Sequence, residues 1–160
     1  MAVFLFIPNI KGGATEKNHE GWVKVDSLQF GVGRHLNDPY GHASSRETGF
    51  PKVSEVHVTK GMDTASIELF GWSVGKFDAK DVKVDIVSTG RGDTPFTTYT
   101  LANAVISGYS VAAGRDGLPT ESISFNFTKL EERFVPVDAN MKAGNPVSKG
   151  FDLATGQPTS

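Results

Sequence analysis

Apolar residues recur at every second position in several short segments of this 160-residue chain, and this alternation constrains its fold more than any other feature. A period of two is that of a β-strand with one buried face. Two Gly-rich linkers, Gly90-Arg-Gly-Asp93 and Gly114-Arg-Asp-Gly117, are typical of hairpin turns, so successive strands should be antiparallel. The predicted strands are 2–7, 22–30, 53–60, 81–89, 96–107, 109–113 and 121–137.

The second predicted strand changes its alternation partway along. Val23 and Val25 share one face, whereas Leu28 and Phe30 fall on the other, so the parity changes near Asp26. A bulge at this point would bend the strand in the way that a small barrel requires. The pattern therefore predicts a mainly β chain, built as a single small antiparallel β-barrel.

One helix is predicted, after the strand that ends at residue 60. Asp63 or Thr64 can cap its N-terminus, and Gly75 can supply a left-handed turn at its C-terminus. An apolar stripe with helical spacing should face the barrel, covering one side or its open end. The stripe consists of Ile67, Phe70 and Val74.

Two segments lack a regular pattern. Residues 31–51 hold many Gly, Pro and Asn residues without apolar periodicity, and such long loops usually have a function. In a subunit of an assembly, the natural role of this extended loop is contact with a neighbouring copy. The tail contains a short predicted strand around 147–153, and residues 155–160 are expected to be poorly ordered. We therefore expect one domain over residues 1–160.

Composition and charge exclude several classes of function. The formal net charge is −2 with both signs mixed along the chain, so no basic stripe is available for nucleic acid. The absence of cysteine excludes disulfides and thiolate chemistry. The apolar start at Met1 to Pro8 lacks a basic region and a cleavage site, and no stretch approaches ~20 apolar residues. We expect synthesis in the cytoplasm without a signal peptide and no membrane insertion, so any export must use a non-Sec route.

Motifs for catalysis, cofactors or metals are weak. The acidic residues fall in turns or on alternate strand positions, where turn hydrogen bonds and solvated faces explain them without catalysis. A metal site would need three converging ligands, and the spacing of the histidines does not demand one. Solvated or interface positions are expected for His19, His35, His42 and His57, and packing positions for Trp22 and Trp72. We predict no enzyme activity, no cofactor and no metal.

Several short segments of the sequence, taken in their order along the chain, resemble the Hcp family, the haemolysin-coregulated proteins of bacterial type VI secretion. No single segment is diagnostic of the family, but together the resemblance covers nearly the whole chain. Residues 31–51 and the tail depart from the family pattern. The segments are Met1-Ala-Val-Phe-Leu-Phe-Ile7, His19-Glu-Gly-Trp-Val-Lys-Val25, Ser27-Leu-Gln-Phe-Gly-Val32, Val56-His-Val-Thr-Lys60, Asp63-Thr-Ala-Ser66 and Glu121-Ser-Ile-Ser-Phe-Asn-Phe127.

The resemblance implies a barrel with one flanking helix, related to phage tail-tube proteins. It also implies a homohexameric ring, stacking of rings into the inner tube of a type VI system in a Gram-negative bacterium, and secretion through that system. Its implied partners are spike and sheath components and small effector proteins, which the lumen could carry or chaperone. The alternative function is a secreted ring-shaped binding, chaperone or adhesin-like protein without a tube role.

The resemblance also directs attention to particular residues. Gln29 is our candidate for the lumen surface, because strand alternation places it opposite Leu28 and Phe30. Residues of the extended loop are candidates for ring stacking or subunit contact. They are Arg34, His35, Asn37, Asp38, Tyr40, His42 and Arg46.

Overall fold

The computed structural model describes residues 1–35, 49–88 and 95–160, and within them the chain is mainly β with one helix. The helix, α1, spans Ser66–Val74. The strands are β1 Ala2–Phe6, β2 Val23–Val25, β3 Ser27–Gln29, β4 Val32–Gly33, β5 Lys52–Val53, β6 Val56–Gly61, β7 Lys80–Val87, β8 Pro95–Ala112, β9 Thr120–Asn126, β10 Lys129–Phe134, β11 Val147–Asp152 and β12 Gln157–Thr159.

Antiparallel pairs run around the molecule in the order β2, β1, β7, β8, β9, β6 and β3. The two ends of this circuit, β2 and β3, are consecutive in the chain and meet at Asp26. The amide of Asp26 donates to the carbonyl of Thr59 at 2.8 Å. The barrel is therefore not closed by one continuous ladder, because its circuit passes through this bend. The change of parity near Asp26 is confirmed.

The 18-residue strand β8 belongs to both halves of the barrel. Its first part pairs with β7 and β10, and its second part pairs with β9. The register shifts between Ile106 and Gly108, which is where the sequence pattern divided this region into two strands. The predicted strand 121–137 is β9 followed by β10, interrupted where the amide of Thr128 donates to the carbonyl of Ala102 at 3.0 Å.

The core fills the interior of the barrel. Val23 and Val25 of β2 are buried in it, and Leu28 and Phe30, beyond the bend, pack against it partly buried. The bend at Asp26 therefore lets one stretch of chain direct apolar side chains inward on both sides of a parity change. The largest fully buried apolar side chains are Phe125, Leu5, Ile7, Leu69, Leu101 and Ile123.

The predicted orientation of the helix is wrong. Leu69 is fully buried, whereas Ile67 is 77%, Phe70 51% and Val74 66% exposed, so the predicted stripe points away from the core. Ser66 and Leu69, which are three positions apart, face inward instead. Ser66 fixes this orientation by donating a hydrogen bond to the buried carboxylate of Glu121. Apolar spacing alone could not choose between two stripes.

Both ends of the helix also differ from the expectation. The cap position is Ala65, which makes no side-chain cap bond, while Asp63 Oδ1 accepts from the Ala65 amide at 3.0 Å. Gly75 is extended, with φ −75° and ψ −177°, and does not form a left-handed turn.

The end of the chain, which we expected to be poorly ordered from Thr155, contains β12. The strand pairs with β11, which lies within the predicted 147–153 segment. A tight turn connects the two strands: Asp152 Oδ1 accepts from the Ala154 and Thr155 amides at 2.9 and 3.2 Å, and Gly156 has a φ of +68°. Local turn chemistry thus offsets the weak apolar pattern of the tail.

Candidate functional site: assembly surfaces

The outer face of the sheet formed by β3, β6, β9 and the second half of β8 is lined by small polar side chains. Gln29 lies opposite His57, which lies opposite Ser124. Two residues along the same strands, Ser27 lies opposite Thr59, with a 2.5 Å contact between their hydroxyl oxygens. We call this surface the polar sheet face, and it consists of Ser27, Gln29, His57, Thr59, Ser110, Ser122 and Ser124.

Strand alternation produces this face. The residues between its members, Leu28, Val58 and Ile123, belong to or pack against the core. A shallow depression of about 520 Å³ lies across the face. His57 is the one ionisable group besides Tyr109 among the lining residues. Gln29 is exposed there, with Leu28 and Phe30 partly buried on either side.

This sheet has two edges with free strand positions. β3 pairs with β6, and residues 105–112 of β8 pair with β9. Neither segment has a second partner strand among the described residues. Unpaired backbone N–H and C=O groups at a sheet edge are a template for pairing with another chain.

His19 fixes the loop between β1 and β2 over the outside of the barrel. Its Nε2 lies 2.9 Å from Asp85 Oδ2, and Thr98 donates to the other carboxylate oxygen at 2.7 Å. The ring stacks on Phe4 at 4.5 Å and meets Trp22 edge-on at 4.7 Å. The expectation that His19 is solvated or at an interface is wrong, because its side chain is packed between Phe4 and Trp22 and is only 1% exposed.

A buried ionic network at the start of α1 was missed from the sequence. Lys60 and Glu121 are both fully buried, with Nζ 2.5 Å from Oε2. Nζ also lies 2.9 Å from Asp63 Oδ1, and Ser66 donates to Glu121 at 2.7 Å. Tyr109 donates to the other Glu121 oxygen. The network joins α1 to β6, β8 and β9.

The electrostatics of this network follow from burial and bonding. Burial raises the pKa of Glu121, but the bonds from Lys60, Tyr109 and Ser66 outweigh it, so the pKa lies below its usual value. Burial, followed by the bond to Glu121, raises the pKa of Tyr109 to about 12. These groups bond to one another, so the network connects α1 to the sheet and leaves none of its side chains free as an activated nucleophile.

The loop candidates are divided between described and undescribed parts of the chain. Arg34 and His35 are exposed, and the carbonyl of His35 accepts from the Gly49 amide at 3.1 Å. This bond, with the β4–β5 pair, closes the base of the loop. Asn37, Asp38, Tyr40, His42, Arg46 and the turn at 90–93 lie outside the described residues.

The described part of the chain has neither a cluster of metal-ligating side chains nor a membrane-spanning helix. It contains no group of three His, Asp or Glu side chains that could hold a metal ion. None of its helices has the length and apolar character needed to cross a membrane.

Comparisons with known proteins agree with one another. Residues 4–134 match the family model described as type VI secretion system effector, Hcp. A solved structure of a type six secretion system protein has a TM-score of 0.90 at 25% identity, covering 99% of both chains. Hcp1 from Salmonella typhimurium has a TM-score of 0.78 at 18% identity, covering 99% of this chain and 98% of that one. No curated protein sequence matches.

A type VI secretion system effector from Yersinia pestis has a similar structure. Its TM-score is 0.74 at 18% identity, over 94% of this chain and 98% of that one. At this identity the likeness shows the fold, which supports the mainly β prediction and its single flanking helix. The functional class is given by the match of residues 4–134 to the family model.

Proposed function

The chain belongs to the Hcp family and is a type VI secretion tube or effector protein, and from this we propose that it forms hexameric rings that stack into the inner tube. In this proposal the rings are exported through the system and can carry small effector proteins. Spike and sheath components are the other partners. The role is structural, without catalysis. No observation favours the alternative of a binding ring without a tube role.

The free edges of the polar sheet support ring formation. β3 lies at one edge and residues 105–112 of β8 lie at the other, so the two edges are different surfaces of one chain. A contact between unlike surfaces is head-to-tail, and it closes into a ring when the rotation between copies allows it. We propose that β3 of one copy lies beside β8 of the next, which would extend the sheet around the ring.

The polar sheet face is the surface that such a ring would turn toward its lumen. Its hydroxyl and amide side chains are compatible with water and offer few fixed charges to a passing protein. Gln29 projects from the edge strand β3, and His57 projects beside it from the neighbouring strand β6. This surface is the single observation that best supports a cargo-bearing lumen.

The substitution Gln29→Arg tests the lumen assignment. Gln29 is exposed, so the ring should keep its mass while a cationic side chain from each copy enters the lumen. The amount of small effector protein that co-purifies with the ring should change several-fold. Gln157→Arg is the matched control, since Gln157 is an exposed glutamine on β12, and it should leave cargo unchanged.

Either of two results would contradict the assignment. Dissociation of the Gln29→Arg ring, seen as a loss of native mass, would place Gln29 in a subunit contact. Equal cargo with both variants would place it outside the lumen.

A further inference from the structure

The outer side of α1 forms an apolar ridge that the described part of the chain leaves largely exposed, with only Phe70 in contact with another ring, that of Tyr109. Ile67, Phe70 and Val74 project from it, and Ile67 and Val74 are each about two-thirds exposed or more. The buried side of the helix already packs on the barrel through Leu69. Contiguous exposed apolar side chains of this kind mark contact sites. We call these three residues the apolar ridge.

A concave apolar surface lies at the base of the extended loop. It is a groove of about 550 Å³ between β5 and the β11–β12 turn. Phe50, which is 80% exposed, stands at its side. We call this the apolar groove, and its apolar side chains are Phe50, Pro51, Val53, Phe151, Leu153 and Ala154.

The ridge and the groove lie at opposite ends of β6. The groove residue Val53 precedes the first residue of β6, Val56, and α1 follows its last residue, Gly61. Six residues at about 3.3 Å each separate the two ends by roughly 20 Å. If the sheet edges at β3 and β8 make the contacts within a ring, the two ends of β6 face the rings above and below.

We propose that the apolar ridge of one copy packs into the apolar groove of a copy in the adjacent ring. This inference rests on the proposed tube function and names the surfaces that join its rings. A contact between unlike surfaces at opposite ends of one chain repeats indefinitely along an axis, which is the geometry of a stack. The second copy is the occupant because a convex and a concave apolar surface occur on the same chain.

One charged side chain close to each surface has the opposite sign to the other. Glu68 is the one charged side chain of α1, follows the ridge residue Ile67 in sequence, and lines a pocket whose other charged residues are Lys76, Asp78 and Lys80. Lys52 is the one charged side chain among the residues that line the groove. An apolar centre with opposite charges at its rim is the usual composition of a specific protein interface.

Cysteine cross-linking between separately assembled rings tests the contact directly, because the chain contains no cysteine. Rings of Ile67→Cys and rings of Phe50→Cys are mixed, allowed to stack and oxidised. We expect disulfide-linked pairs of chains on a non-reducing gel. Lys17→Cys, at an exposed position of the β1–β2 loop, replaces Phe50→Cys in the control and should give at least ten-fold fewer pairs.

A charge exchange provides the second measurement. Glu68→Lys and Lys52→Glu should each shorten the stacks several-fold in negative-stain images without changing the native mass of the ring. The double variant should restore most of the length, because it re-forms the pair with its signs reversed. A purely structural role of either residue would not give this rescue.

The outcomes separate this inference from the function on which it rests. Unsubstituted protein that forms no rings would overturn the proposed function. Rings that stack normally but give no more cross-linking than the Lys17→Cys control would overturn the ridge-to-groove contact alone. Cross-linking that occurs when both cysteines are in one ring, and not on mixing, would assign the contact to neighbours within a ring and overturn it as well.

Discussion

Removing the Lys60 ammonium group should strongly destabilise the protein. In Lys60→Met a side chain of similar length replaces it, so packing is largely kept while the charge is lost. Nζ contacts Glu121, Asp63 and Ser66, and also donates to the carbonyl of Gly61 at 2.9 Å. The substitution therefore leaves the Glu121 carboxylate buried without its cation.

The size of the loss follows from this burial. Breaking a fully buried ion pair by removing one partner costs about 3–5 kcal/mol, because the remaining charge is uncompensated. Tyr109 and Ser66 continue to donate to Glu121, so we expect the lower end, about 3 kcal/mol. Lys24→Met is the matched control. Its ion pair with Glu16 is largely exposed and should contribute less than about 1 kcal/mol.

The loss should depend on pH. In the unsubstituted protein the pKa of Glu121 lies below its usual 4.5, so the pair stabilises the fold above that pH and the stabilisation is lost as pH falls through the folded pKa. Without Lys60 the effect of burial is less opposed, and the pKa of Glu121 should rise. Protonation then relieves the buried charge, so the deficit of Lys60→Met should shrink as pH falls from 7 toward about 4.

Urea unfolding followed by tryptophan fluorescence measures these differences, at a protein concentration where the native mass is constant. In Lys60→Met/Glu121→Gln the buried charge is gone, so at least half of the lost stability should return. The reasoning would be refuted by a loss below about 1 kcal/mol in Lys60→Met, or by a double variant no more stable than the single one.

Two further predictions concern single residues. A Cβ added at Gly12 would lie 2.3 Å from the carbonyl oxygen of Trp22, whereas nothing lies within 4 Å at Gly13. Gly12→Ala should therefore cost about 1–3 kcal/mol and Gly13→Ala less than about 0.5 in urea unfolding, and equal losses would contradict this. The pKa of Tyr109 is raised to about 12, so its contribution holds below about pH 10 and fades toward 12. Between these pH values the free energy of unfolding should therefore fall less in Tyr109→Phe than in the unsubstituted protein. Parallel plots of unfolding free energy against pH for the two proteins would contradict the role given to Tyr109.

The strand pattern could be predicted because burial on one face imposes a period of two on the sequence. The bend at Asp26 was visible for the same reason, since four apolar side chains had to reach one core across a change of parity. The orientation of α1 could not be predicted. Its exposed stripe is as apolar as a buried one, and an apolar surface reserved for another copy has the same sequence pattern as a core face.

The buried polar groups could not be predicted either. His19 and Asp85 are 66 positions apart, and Lys60 and Glu121 are 61 apart, so each pairing depends on the finished topology. A charged residue at an inward position of an alternating strand was the available signal. Lys60 carries it on β6, in line with Val56 and Val58, and Glu121 carries it on β9, in line with Ile123 and Phe125. The partner of such a residue is set by three-dimensional contact, which spacing does not encode.

The native mass of the purified protein, measured by light scattering with negative-stain imaging of the same sample, tests the central claim most directly. Assembly into a hexameric ring predicts about 103 kDa, six copies of the 17.1-kDa chain, and annular particles. Particles that stay at the mass of a single chain as the concentration rises to that of the imaging sample, with no annular images, would contradict the ring and with it the proposed tube.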